Sequence, residues 1–240
     1  THQAYAGVSS FAHKAGLHAS ALKVNPELYN HIDPALVGGD QRVLVTEMAG
    51  RASVEMKSKE LGYDIAGDAE RVTHIVETVK DLESKGWTFE AADASFELIL
   101  MSADESESRF EVESWRTIVE QDASGDVRTE ATVKVRANGE RMISTAEGNG
   151  PVNALDKALR SAVTSLHPEL EPLELIDYKV RILEKSDPDT SGTASVTRVL
   201  VSTSDGKREW TTLGVHENVI AASWRALEDA LTYGLMRSQA

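Results

Sequence analysis

Two histidines, a lysine and a tyrosine crowd the start of this chain: His13, Lys14 and His18 within FAHKAGLH (residues 11–18), and Tyr29 at the end of NPELY (25–29). An imidazole titrates close to neutrality, so a histidine beside a lysine in a glycine-interrupted turn can give or take a proton at physiological pH. Tyr29 could serve as a hydrogen-bond donor or second acid, or pack its ring on a helix; spacing leaves both readings open. A metal site made by this chain alone is not expected. His13 and His18 stand five apart, on different faces of a helix, whereas the HExxH motif needs four, and no third ligand is nearby. Too little chain precedes these residues to build a pocket. The expected picture is part of an active site whose larger part lies upstream, in keeping with a first residue that is Thr1 and not Met.

A second candidate is EGNGPV (147–152). Glycines between a strand and a helix let backbone approach a ligand, and the free N–H groups at a helix start favour an anion such as a carboxylate. The loop has neither the Lys-Ser/Thr of a P-loop nor a GxGxxG pattern. Its other reading is a plain helix start, with Pro151 at the first helical position. No Ser-His-Asp, Ser-Lys or paired-carboxylate arrangement stands out, and the acidic run 104–108 reads as a solvated loop.

Composition narrows the rest. At 240 residues and 41% hydrophobic, the chain is long enough for one large domain or two small ones with real cores. A net charge of −14 works against nucleic acid and anionic membranes, which need clustered lysine and arginine, and no basic run is present. No apolar run approaches the roughly 20 residues needed to span a bilayer. The absence of cysteine excludes disulfides and thiolate chemistry and fits a reducing cytoplasm.

The elements that must position these residues fall into two styles. Residues 1–40 read as short helices and turns, with Pro26 early in a helix and breaks at Asp33-Pro34 and Gly38-Gly39. Residues 42–46 could be a short extended piece. A helix over 52–61 stops at Gly62. Asp68 caps a second helix in which Val72, Ile75, Val76, Val79 and Leu82 share one face, ending at Gly86. The small polar stretch 90–95 resembles a hinge, so residues 1–90 are expected as a small helical domain. Beyond it, 111–120, 128–136 and 140–146 read as strands, with Asn138-Gly139 as a hairpin turn and a helix from Pro151. The order repeats: strands at 177–184, 194–202 and 209–213, a turn at Asp205-Gly206, and a helix over 218–236. Matching Gly139 with Gly206 and Gly148 with Gly214 brings the units into register to within one residue. The fold class expected is α+β, a helical domain followed over 91–240 by two strand-strand-strand-helix pseudo-repeats with their helices on one sheet face. Such a pseudo-twofold frames a ligand cleft or pairing with a second subunit.

Several motifs resemble one family. SFAHKAGLHAS (10–20), the 26–29 segment, Asp33-Pro34, Val37-Gly38 and Gly50-Arg51 closely resemble the linker subdomains of the α-isopropylmalate synthase/homocitrate synthase/citramalate synthase family. GNGPVNALDKAL (148–159), IDYKV (176–180) and GVHENVIAASW (214–224) look like its C-terminal regulatory, dimerising domain. DASFEL (93–98) and the 148–159 run look most like the citramalate synthase branch. The resemblance covers nearly the whole chain, in the family's order. It implies an acyltransferase that condenses acetyl-CoA with a 2-oxo acid, pyruvate in that branch, on a TIM barrel holding a divalent metal. Neither the barrel nor its HxH pair occurs here, so the chain alone is expected to be inactive and to carry no cofactor of its own. His18 is implied to reach a partner subunit's barrel and help remove a proton from the acetyl methyl group. Tyr29 would position or protonate at the same site, and His13 has the weaker claim. For the second half, the resemblance implies a homodimer and a branched-chain amino acid effector, isoleucine by pathway logic or else leucine. The matching positions are Gly148, Asn149, Gly150, Pro151, Val152, Leu175, Asp177, Tyr178, Ile182 and Val219. Rival readings are 2-isopropylmalate or homocitrate synthase, and a stand-alone amino-acid-sensing module.

Overall fold

The computed structural model describes residues 3–7, 10–13, 16–25, 27–30, 32–43, 50–102, 110–137, 139–183 and 192–238. Pro26, Asn138, the acidic run 104–108 and residues 44–46 of the expected extended piece lie outside them. The chain divides into two compact units, Thr1–Glu105 and Ser106–Ala240. Among the described residues no helix is long and apolar enough to cross a membrane.

In the first unit, strand β1 (Ala12–His13) pairs in parallel with β2 (Arg42–Val43). Helix α1 (Gly16–Val24) lies between them in sequence. Phe11 and Leu22 are the buried anchors here. Gly39 leaves room for Phe11, whose ring carbons would stand 3.1 Å from an added β-carbon. Helix α2 (Arg51–Glu60) and helix α3 (Ala69–Ser84) follow the expected bounds closely. The Asp68 carboxylate accepts the Arg71 N–H and so caps α3, satisfying one donor of its open first turn.

The expected hinge at 90–95 is instead the entry to helix α4 (Asp93–Ser102). Its residues Phe96 and Leu100 join Val54, Ile65, Val72, Ile75, Val79 and Phe89 in one core. Polar contacts fix its register. Lys57, nearly buried, meets Asp93 at 3.0 Å; Tyr63 donates to buried Glu97 at 2.8 Å; Arg71 donates to the Leu100 carbonyl at 2.9 Å. Ala92, Ala94 and Ser95 read as hinge-like because they are small, and they are small because they are buried.

The second unit is α+β, as expected: two three-stranded antiparallel sheets, each followed by a helix. Strands β3 (Glu111–Gln121), β4 (Val127–Ala137) and β5 (Glu140–Gly148) lead to α5 (Pro151–Leu166). Strands β6 (Glu174–Leu183), β7 (Val196–Ser204) and β8 (Glu209–His216) lead to α6 (Val219–Ser238). Sheet orders are β3-β4-β5 and β6-β7-β8. Helix α5 turns Leu155, Leu159 and Val163 onto β4 and β5, where Val133 and Val135 are sealed. Helix α6 does the same over Val199, Val201 and Leu213, and the two helices touch.

The register between the repeats differs from the one that matching glycines suggests. Trp115 pairs with Val133 and Tyr178 with Val201, Gly148 pairs with Thr129 and His216 with Thr197, and the helices start at Pro151 and Val219. Positions on β4, β5 and α5 therefore recur 68 residues later, from Val133 to Val201 and from Pro151 to Val219. Gly148 corresponds to His216, not Gly214. The glycines mislead because they sit at non-equivalent places: at the 68-residue offset Gly139 meets Lys207 and Gly148 meets His216. Asp205 and Arg208, which meet the closing pair Ala137 and Glu140, are joined by the Asp205 N–H on the Arg208 carbonyl. Both first strands carry a bulge at the same place, between Val112 and Ser114 and between Leu175 and Asp177. The residues after the bulges, Trp115 and Tyr178, are thus counterparts.

Candidate functional site

The three N-terminal candidates come together. The His18 and Tyr29 rings stack at 4.0 Å between centroids, and His13 stands edge-on to His18 at 5.8 Å and 6.4 Å from Tyr29. Three segments hold them: β1 carries His13, α1 carries His18, and the turn after α1 brings Tyr29 back. Tyr29 is 43% exposed and His18 half-buried, so reactants outside this unit can reach both. Partial burial lowers the His13 pKa, a contact with Asn30 opposes this, and the neighbouring His18 lowers it further. Two imidazolium ions this close would repel, which is the sense in which His18 lowers the His13 pKa. Among the described residues no three His, Asp or Glu side chains converge as metal ligands. The metal implied by the resemblance therefore finds no ligand set in them, and no step below runs through it.

The second site is a cleft of about 710 Å³ between the start of α5 and the start of β6. Asn149, Gly150, Pro151, Val152, Leu175 and Tyr178 line it, six of the ten positions that the resemblance points to. Asn153, Asp156, Arg160, Leu173 and Glu174 complete the walls. Gly150 precedes α5 in extended conformation and no side chain caps the helix. Pro151 has no N–H, and those of Val152 and Asn153, which line the cleft, meet no side-chain cap. One wall is apolar, with Pro151, Val152 and Leu175. Another is charged: Arg160 Nε donates to Asp156 Oδ1 at 2.8 Å, and the same guanidinium donates to the Leu173 carbonyl. An anion-accepting helix start, a carboxylate and an apolar wall suit the carboxylate, ammonium and side chain of an amino acid.

Four positions fall outside the lining. Gly148 is glycine for packing: a β-carbon there would stand 2.5 Å from the Ala154 nitrogen. Asp177 pairs with Lys179 in solvent, which lowers its pKa. Ile182 is exposed towards the far end of β6, and Val219 opens α6. The spacing of the sequence carries no signal for Asp156 and Arg160, since an i,i+4 ion pair on a helix is an ordinary surface feature. Only the approach of β6 turns this pair into a wall.

Tyr178 ties the cleft to α6, the helix of its own repeat. Ser223 spends its single proton on the Val219 carbonyl, 2.7 Å away, so the Tyr178 hydroxyl donates to Ser223 Oγ at 2.7 Å. Its lone pairs remain for a ligand.

Residues 90–235 match the LeuA allosteric (dimerisation) domain, and residues 6–86 match the homocitrate synthase post-HMGL domain-like family. Over 99% of its length the chain is 63% identical to the (R)-citramalate synthase of Streptomyces coelicolor, and over 98% it is 41% identical to that of Aquifex aeolicus. It is 29% identical, over 94%, to the 2-isopropylmalate synthase of Acetivibrio thermocellus. It spans 44%, 44% and 41% of those relatives, under half of each. The chain belongs to the LeuA allosteric (dimerisation) domain family, with a homocitrate synthase post-HMGL-like domain preceding that domain.

Proposed function

We propose that this chain is the linker and regulatory part of a dimeric citramalate synthase, and that the α5–β6 cleft holds the branched-chain amino acid that inhibits it. The observation that carries the reading is the cleft itself, with an uncapped helix start, the Asp156 carboxylate and an apolar wall in one cavity. The closer identity to (R)-citramalate synthases than to a 2-isopropylmalate synthase supports pyruvate as the 2-oxo acid.

In the whole enzyme, a base removes a proton from the acetyl-CoA methyl group. The enolate adds to the ketone carbon of pyruvate, and hydrolysis of the thioester releases CoA and citramalate. His18 is the group that takes the methyl proton, and Tyr29, stacked on it, orients the ring and hydrogen-bonds at the same centre. His13 packs edge-on against His18 beside them. The rest of that active site belongs to residues outside this chain, so turnover by the chain alone is not expected. Effector binding would act as a coupling free energy between the cleft and the catalytic centre. Isoleucine is the ligand proposed; leucine differs only in where one methyl sits, a difference of about 1–3 kcal/mol in an apolar pocket.

The test is an assay of the longer enzyme that carries this chain, with pyruvate, 2-oxoisovalerate and 2-oxoglutarate, each with and without isoleucine or leucine. Preference for pyruvate and inhibition by isoleucine are expected. Preference for another 2-oxo acid contradicts the branch, and indifference to both amino acids contradicts the regulatory role.

A further inference from the structure

The 68-residue register gives every wall of the cleft a counterpart where α6 meets β3. Gly150 corresponds to Asn218, Asp156 to Trp224 and Arg160 to Glu228, each pair at the same place on its helix. Tyr178 corresponds to Trp115 through their partners Val201 and Val133.

At the counterpart, each feature that opens the first cleft is closed. Asn218 Oδ1 accepts the Ile220 and Ala221 N–H groups at 2.8 and 3.1 Å, the groups equivalent to the uncapped Val152 and Asn153 N–H groups. Trp224, only 6% exposed, stacks on Trp115 at 5.4 Å between centroids. Even the i,i+4 pair is kept, with donor and acceptor exchanged. Arg160 donates to Asp156 at 2.8 Å, whereas Trp224 Nε1 donates to Glu228 at 3.0 Å. Ordinary core packing would fill this region without matching the cleft position by position. Here an amide oxygen stands where a ligand's carboxylate would sit, and stacked indoles stand in place of Asp156 and Tyr178, the polar groups that would meet its ammonium.

We infer that the chain holds two copies of one amino-acid cleft, and that Asn218, Trp115 and Trp224 occupy the second copy from within, so that one amino acid binds per chain. This rests on the reading of the α5–β6 cleft as an effector site. The two helix starts then divide the work: one is filled permanently and holds α6 against the first sheet, and the other is left for a ligand to fill.

Isothermal calorimetry with isoleucine, on the full chain and two variants, tests the inference. The wild-type chain should bind one equivalent. Asn218→Gly/Trp115→Tyr/Trp224→Asp/Glu228→Arg copies the open cleft into the second repeat and should bind two. Gly150→Asn/Asp156→Trp copies the plug into the first repeat and should bind none while melting no lower than wild type. Space exists for the new side chain, because nothing lies within 4 Å of a β-carbon added at Gly150. Two equivalents in wild type, or one in a natively folded opened variant, overturns the inference and leaves the effector reading standing; retained binding in the plugged variant overturns both. No binding by wild type overturns the effector reading, and this inference with it. Should the opened variant fail to fold, the wild-type stoichiometry and the plugged variant still decide.

Discussion

Gly150 and Asn218 occupy the same place at the starts of the two repeat helices, and only Asn218 caps its helix with a side chain. A glycine N-cap in place of an asparagine forgoes only roughly 0.3 kcal/mol of helix stability. An open cavity walled by that turn turns the omission into a binding feature, since the same N–H groups can meet an anion.

His18→Ala in the longer enzyme should lower kcat by about 10²–10⁴, the usual contribution of a positioned general base. Tyr29→Phe should cost less, because it keeps the ring that stacks on His18 at 4.0 Å. Neither change should disturb dimerisation measured by analytical ultracentrifugation. A normal rate for His18→Ala removes it from the mechanism.

Asp229 should make the second unit less stable as pH rises. Full burial pushes its carboxyl up to about 7, against the pull of Arg225, and nearby Glu228 pushes it further up. A pKa raised in the folded state gives stability that is fully present below the unfolded value near 3.8 and is lost as pH rises through about 7. Urea unfolding at pH 5 and pH 8 should differ by roughly 2–4 kcal/mol, and Asp229→Asn should remove most of the difference. Carboxylates with lowered pKa, such as Glu113 and Asp205, have the opposite slope, but only in the acid range below this window. Equal stability at both pH values contradicts the assignment.

Gly214→Ala should destabilise the second unit by about 3 kcal/mol or more, because the new methyl would collide with the Ala222 carbonyl oxygen of α6. Gly50→Ala, with open space around it and no positive φ, should change stability by about 0.5 kcal/mol or less. Chemical denaturation of both variants checks the contrast.

Much of this molecule is legible in its sequence because its period signals are strong. Helix α3 shows one apolar face and an Asp68 cap, and strands β3 to β5 alternate around a tight turn, so their bounds follow within a residue or two. Helix α4 does not announce itself. DASFELILMS is apolar on nearly all sides, so no face stands out, and the small residues before it imitate a linker. The repeat register is hidden for a different reason. Glycines draw the eye, yet Gly148 answers to α5 and Gly214 to α6 at non-equivalent positions, while hydrogen-bond pairing sets the true correspondence. At the cleft, the glycine loop is readable as a helix start open to an anion. Asp156 and Arg160 become part of it only through the tertiary approach of β6.

Isoleucine titrated into this chain and into its Gly150→Asp variant tests the central claim most directly. The new carboxylate would cap α5 from the place proposed for the ligand's own carboxylate, without steric cost, since nothing lies within 4 Å of the added β-carbon. The account predicts saturable binding by the parent chain, and a variant that keeps its melting temperature within a few degrees but gives no binding heat. Undiminished binding by Gly150→Asp would contradict it.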